Sequence, residues 1–238
     1  MSKTMGQAAA TPRLLLLRHG QGMLGSEDYD RLSKSGQRQS ALLGERLRAD
    51  LAGGWPVWSG SLKRHRQTLE SLAPSGAAFI DPKLNEYRVD QLMQSALAQA
   101  AHLRLEVPEQ QAFADPVAYL DTFLAWFPNV LDRWQAGLLT DAANGTWAAF
   151  RVRALALVDL WKQELQGGRS VVVVTSAGII STVVSELLGR GLAWQRELNV
   201  SLYNASVTEL SLDARTRWQL NRINCVSHLE PHDLVTLA

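Results

Sequence analysis

The sequence predicts an α/β protein, a three-layer α/β/α sandwich around a mostly parallel central sheet, with a helical cap inserted near the middle of the chain. Three observations lead there. Strand-like runs alternate with amphipathic helical segments, the pattern of a sheet covered on both faces. The runs Leu14 to Leu17 and Val171 to Val174 are apolar at every position, as buried strands are. Between Glu86 and Gly145 no strand pattern occurs and helical spacing takes over.

The first strand is placed at Leu14 to Arg18. A helix follows from Lys34 to Ala52, with Leu42, Leu43 and Leu47 at helical spacing. Val57 to Ser59 is the second strand, Leu62 to Ala73 the second helix and Ala77 to Ile80 the third strand. In the cap, Leu92 to Leu105 and Val117 to Trp134 read as helices, with Asp115-Pro116 as a start signal. Trp126, Phe127 and Trp134 are assigned to the cap's own core. Gln94, Gln99, His102 and Arg104 suit solvent and ligand contact equally. After the cap come a helix from Trp147 to Gln166, a strand from Ser170 to Thr175 and a helix from Ile179 to Leu188. Strands Ser206 to Leu212 and Arg217 to Ile223 close the chain, joined by Asp213-Ala214-Arg215-Thr216. That linker is short enough for a hairpin, so the sheet should end with an antiparallel strand. Residues 1–12 are expected to be a flexible N-terminus, and 13–238 a single domain whose cap spans about 87–145.

Composition narrows the function classes. With 238 residues, 46% of them hydrophobic, the chain can bury a sizeable core, and no run of eighteen apolar residues suggests a membrane span. The net charge of +1 argues against nucleic acid or an acidic membrane as main partner. Cys225 is the only cysteine, which excludes an intramolecular disulfide and a cysteine metal cluster. It is assigned a buried structural role. With no signal-peptide core after Arg13, a cytoplasmic location is expected. Apolar surface on the terminal strands is compatible with a homodimer.

The chemistry starts at Arg18-His19-Gly20. An apolar strand that stops at a cation, an imidazole and a glycine delivers reactive groups to its carboxyl end, where open α/β sheets bind ligands. That combination suits an anionic phosphate. Transfer of a phosphoryl group needs an in-line nucleophile, fixed positive charge around the phosphorus and an acid for the leaving oxygen. His19 can be the nucleophile, with one ring nitrogen free and the other held by a hydrogen bond, typically to a backbone carbonyl. Arg18 and Arg64 are candidate clamps, because a guanidinium can donate two hydrogen bonds to one phosphate. Gly20 allows close approach of backbone to phosphate or serves as a turn glycine.

Further segments complete the pattern: Leu32-Ser33-Lys34-Ser35-Gly36-Gln37-Arg38-Gln39, Ser59-Gly60-Ser61-Leu62-Lys63-Arg64-His65-Arg66-Gln67-Thr68, Leu84-Asn85-Glu86 and Thr175-Ser176-Ala177-Gly178. In this order they resemble the histidine phosphatase superfamily, the phosphoglycerate-mutase-like proteins, from about Leu14 to His228. The resemblance implies a phosphohistidine intermediate on His19 and a second phosphate-binding arginine at Arg64 rather than Arg66. It also assigns Glu86 as the acid that protonates the leaving alkoxide and then activates water, a task that needs a carboxyl pKa raised by burial. A structural carboxylate paired with Arg88 is the competing role for Glu86. No cofactor or metal is implied, since the arginines supply the charge.

Two departures from the family pattern stand out. Members usually carry a second histidine after the fourth strand, donating to the phosphoryl group in flight, whereas this chain has Ser176 there. None of His65, His102, His228 and His232 sits at that turn. Loss of one such donor costs on the order of 10²–10³ in rate, although the serine hydroxyl and the backbone N–H groups around Ala177 remain available to an anion. An attenuated or specialised phosphatase is therefore predicted, and Ser176→His should raise its turnover. The second departure is the first loop, where Gln21 is the only polar side chain before Glu27-Asp28-Tyr29-Asp30. Gln21 either touches the phosphoryl group or shapes the loop. The acidic segment would disfavour a bisphosphate if it faced the pocket.

Three readings remain. The first is a phosphomonoesterase acting on a small phosphorylated substrate or a phosphoprotein. The alternative is an inactive phospho-ligand or phosphoprotein binding module, a pseudoenzyme that keeps the pocket. A phosphoglycerate mutase ranks last, because the missing histidine and sparse first loop weaken retention of the phosphoryl group.

Overall fold

The computed structural model describes residues 11–23, 30–109 and 119–237. Its strands are β1 (Arg13–Arg18), β2 (Val57–Ser59), β3 (Ala78–Ile80), β4 (Val171–Thr175), β5 (Val207–Leu212) and β6 (Trp218–Cys225). They form one sheet in the order β3-β2-β4-β1-β5-β6. The first four strands in that order run parallel. β5 and β6 add the expected antiparallel hairpin beside β1.

The unbroken apolar runs of β1 and β4 are explained by their central position. Side chains alternate across a strand, so Leu14, Leu16, Val171 and Val173 enter one core while Leu15, Leu17, Val172 and Val174 enter the other. All four leucines are at most 1% exposed. Truncating any one of them to alanine should cost about 2–5 kcal/mol.

The second core is closed by α1 (Lys34–Ala52) and α2 (Lys63–Leu72), which contribute Leu43, Leu47, Leu51 and Leu72. Ser33 caps α1 by accepting the N–H of Gly36. On the first core lie α6 (Trp147–Leu155), α7 (Val158–Gln166), α8 (Ala177–Leu187) and α9 (Leu192–Ser201), joined by the cap helices α3 (Val89–Ala98), α4 (Ala100–Leu103) and α5 (Tyr119–Gln135). Trp126, Phe127 and Trp134, assigned to a core of the cap's own, are buried in this shared core, and Phe127 also lines the cavity described below. Trp134 packs edge-on against Trp147 and Tyr87 and donates its indole N–H to the carbonyl of Gly145.

Several elements differ from the sequence reading. The helix expected from Trp147 to Gln166 is two, interrupted at Ala156 and Leu157, because apolar spacing continues across the break without a Gly or Pro to mark it. Leu92 to Leu105 likewise divides into α3 and α4, ending where Arg104 adopts a left-handed φ of 52°. Before Glu86 the chain adds a 3-10 turn, Pro82–Leu84, with the Asp81 carboxylate accepting the N–H of Lys83. Cys225 is half-buried beside the Ser227 hydroxyl, not enclosed, because β6 is an edge strand. Asp115-Pro116, Glu27, Asp28, Tyr29 and residues 1–10 lie outside the described residues. Among the described residues no helix is long and apolar enough to cross a membrane.

Candidate active site

β1 and β4 are neighbours in the sheet, with Arg18 opposite Thr175. The chain leaves both strands at the same edge, and the N–H of His19 donates to the carbonyl of Thr175. The segments carrying His19 and Ser176 therefore start from adjacent points. The His19 ring is buried, and its Nδ1 lies 2.7 Å from the carbonyl oxygen of Gly20. A carbonyl only accepts, so Nδ1 carries the proton and Nε2 presents a lone pair. Arg64 Nε donates to that Nε2 at 3.1 Å. Burial holds the His19 pKa well below the usual value, reinforced by the charges of Arg64, His65 and Arg18 and opposed by the Gly20 carbonyl. The ring is neutral at pH 7, as a nucleophile must be.

Arg64 stands in the first turn of α2, buried, and its Nη1 pairs with Asp30 Oδ1 at 2.7 Å. The other carboxylate oxygen of Asp30 accepts the N–H of Lys63 at the same helix start. Acidic charge therefore does face the cavity. Arg66, two residues on, is exposed. Arg18 lines the cavity but also anchors the C-terminal segment, with Nη1 donating to the carbonyls of Leu202 and Leu237.

Gly20 and Gln21 do not line the cavity. A Cβ on Gly20 would lie 2.4 Å from the carbonyl oxygen of Gly36, so this glycine lets the loop lie against α1 rather than against a phosphate. Gln21 accepts a hydrogen bond from Ser33 Oγ, a loop-shaping contact. The backbone of Gln21 lies against α1 as well, since a Cβ on Gly36 would meet its carbonyl oxygen at 2.1 Å.

Glu86 is held by a dense set of bonds. Its Oε2 accepts the N–H of Gly178 at 2.7 Å and its Oε1 accepts the N–H of Tyr87. The preceding turn is fixed by Thr175 Oγ1 on the carbonyl of Leu84 and by Arg153 on the carbonyls of Lys83 and Asn85. Arg88 pairs with Asp90, not with Glu86. Burial raises the Glu86 pKa, opposed by the Gly178 N–H, Arg64, the Tyr87 N–H and Arg153. Such a carboxyl group can hold a proton for delivery and later take one back. Gly178 is required for this contact, since a Cβ there would sit 2.3 Å from Glu86 Oε1.

The sequence reading missed His65. This fully buried residue projects from α2 so that its Nε2 lies 2.7 Å from Ser176 Oγ, and its ring centroid lies 5.3 Å from that of His19. A histidine thus does approach the turn after β4, from the opposite side. Its Nδ1 faces Gly60 and finds no hydrogen-bond partner among the described residues. A buried N–H without a partner is rarer than a buried lone pair without one. The proton is accordingly assigned to Nε2, which donates to Ser176 Oγ and leaves the serine hydroxyl hydrogen to point elsewhere. Burial, then Arg64, keeps the His65 pKa well below the usual value and the ring neutral. The available signal was adjacency, because His65 immediately follows Arg64 at the start of a helix.

These groups share one cavity of about 770 Å³, lined at its inner end by His19, Arg18, Arg64, Glu86, Ser176 and Ala177. Ala177 is the first residue of α8, so the helix start opens on the same space. His228, His102, Gln94, Gln99 and Arg104 are not in the lining. Burial, then Arg46, lowers the His228 pKa to about 4, opposed by a hydrogen bond with the backbone of Ala205. Among the described residues no three His, Cys, Asp or Glu side chains gather as metal ligands.

No curated protein sequence matches the chain. Solved structures do match in fold. Phosphoserine phosphatase from Entamoeba histolytica, in complex with phosphoserine, is 16% identical with a TM-score of 0.61, covering 92% of this chain and 99% of its own. Mycobacterial glucosyl-3-phosphoglycerate phosphatase with inorganic phosphate is 22% identical with a TM-score of 0.60 over 92% and 99% of the two chains. Bacillus stearothermophilus YhfR is 17% identical with a TM-score of 0.65 over 91% and 98%. The sequence model of the histidine phosphatase superfamily (branch 1) matches residues 14–140 and 120–226, and the chain belongs to that superfamily.

Proposed function

We propose that the protein is a phosphomonoesterase that works through a phosphohistidine on His19. The observation that carries this reading is the His19 ring itself: neutral, its Nδ1 proton committed to the Gly20 carbonyl, its Nε2 lone pair held beside Arg64 at the inner end of the cavity. In the first step the Arg64 Nε–H leaves Nε2 for a phosphoryl oxygen, Nε2 attacks phosphorus and the bond from phosphorus to the ester oxygen breaks. Glu86, whose hold on a proton is strengthened by burial, gives that proton to the departing oxygen. In the second step the Glu86 carboxylate takes a proton from water, the water oxygen bonds to phosphorus and the phosphorus–nitrogen bond breaks. Inorganic phosphate leaves and His19 returns to its starting state. Arg18 and Arg64 neutralise the phosphoryl oxygens.

Ser176 has a specific place in this scheme. With His65 Nε2–H donating to its oxygen, the Ser176 hydroxyl is oriented to donate to a phosphoryl oxygen, in the role the family's second histidine would take. The pair supports a specialised phosphatase over an emptied binding pocket. Hydrolysis of an aryl phosphate from about pH 5 to 8, compared with the His19→Ala variant, tests the proposal. Turnover that vanishes with His19 is the expected result. Phosphate-ester binding without turnover in either protein would favour the binding module.

A further inference from the structure

Resting on that phosphatase reading, we infer that the substrate is a phosphomonoester whose alcohol carries an apolar, aromatic-sized body. The cavity extends well beyond the groups that would hold a phosphate. Its outer walls are built by Val89, Met93 and Leu97 of α3, Phe123 and Phe127 of α5, and Val200 of α9. Phe127 is buried in the cap core and stacks on the half-buried Phe123 with ring centroids 4.6 Å apart. The cap therefore presents the edge of its aromatic core to the cavity, as the wall of a binding pocket for a flat apolar group.

Polar groups along this outer region are engaged with one another. Asn199 donates to the Tyr87 hydroxyl at 2.8 Å, while Arg88 and Asp90, 3.6 Å apart and both exposed, offset each other's charge. A sugar or a phosphorylated acid placed there would surrender water around its hydroxyls or carboxylate for aliphatic and aromatic carbon, which is unfavourable. Asp30, seated on Arg64 and the start of α2, adds negative charge at the inner end and disfavours a second phosphate or a carboxylate. The same charge tolerates a single phosphate on an uncharged body.

Binding of non-hydrolysable phosphonates by calorimetry reads this independently of turnover. Naphthylmethylphosphonate should bind on the order of 50- to 100-fold more tightly than methylphosphonate, as expected for roughly 100 Å² of apolar surface leaving water. Phe123→Ala should weaken the naphthyl ligand about tenfold and leave methylphosphonate unchanged. Met93→Gln, a milder change on the facing helix, should act in the same direction. Equal affinity for the two phosphonates would overturn the apolar substrate while leaving the phosphatase reading intact. Failure of both to bind would overturn the two together.

Discussion

Replacing His65 with leucine separates a histidine that packs from one that positions Ser176. His65 Nε2 is 2.7 Å from Ser176 Oγ, and the ring occupies space that Gly60 leaves open. Losing that hydrogen bond costs about 1 kcal/mol of stability. Leucine has comparable bulk and removes the unpartnered Nδ1, so the two effects largely offset and the melting temperature should change little. Catalysis should not be spared. Without its donor the Ser176 hydroxyl loses its orientation, and a lost phosphoryl donor costs on the order of 10²-fold in kcat. Ser176→Ala removes the same donor and should cost a similar factor. If both act through one hydrogen bond, the double variant should be about 10²-fold slower, not about 10⁴-fold, a coupling near 2.7 kcal/mol. His65→Gln, whose amide nitrogen can take the place of Nε2, should restore part of the loss. The assay is kcat on an aryl phosphate for the four corners of the cycle, with melting curves alongside. Multiplying losses, or an active His65→Leu, would refute the positioning role. The same geometry revises the effect of Ser176→His: with His65 already 2.7 Å away there is no room for a second imidazole, so that change alone should lower turnover, and only together with His65→Ala should it raise it.

Further outcomes follow from the surrounding contacts. Gly178→Ala would ordinarily stabilise a helix interior by about 1 kcal/mol, but here the new Cβ meets Glu86 Oε1 and Tyr87, so kcat should fall about 10²-fold while Gly191→Ala, with open space around it, leaves kcat unchanged. Glu86 has a raised pKa, so its native carboxyl keeps a proton that the unfolded chain has already lost; stability declines as pH rises through that folded pKa. Glu86→Gln should therefore raise the melting temperature near pH 8, with the gain disappearing below about pH 4 where both states are protonated. The lowered pKa values of His19 and His65 have the opposite sign, and wild-type stability should fall below about pH 6.5 by up to ~1.4 kcal/mol per pH unit for each ring, which denaturant titrations across pH can measure. Asp30→Asn frees Arg64 from a competing carboxylate and should tighten inhibition by inorganic phosphate about threefold to fivefold.

Much of the fold was legible because its signals were local. The leucine and valine runs announce central strands, and Arg18-His19-Gly20 announces what the first of them delivers. The breaks at Ala156-Leu157 and at Gln99 were hidden because apolar periodicity passes through them without a breaking residue. In the site, His19, Arg64 and Glu86 stand in motifs at recognisable positions, and the fold brings the three to one cavity. The contact between His65 and Ser176 was not legible, because it joins residues 111 positions apart, and the packing that brings them together depends on Gly60 lacking a side chain. For Gly20 and Gln21 the sequence leaves two roles open, and the contacts of their loop with α1 and Ser33 favour the loop-shaping one. Asp30 was seen as a conditional, and the structure supplied the condition by seating it on Arg64.

The most direct test is to mix Glu86→Gln with an aryl phosphate, quench under conditions that preserve phosphoramidates, and map the added phosphoryl group by peptide mass spectrometry. The slowed second step should trap one acid-labile phosphoryl group on His19, absent from the His19→Ala protein. Turnover by wild type with no adduct, or with an adduct on another residue, would contradict the phosphohistidine mechanism.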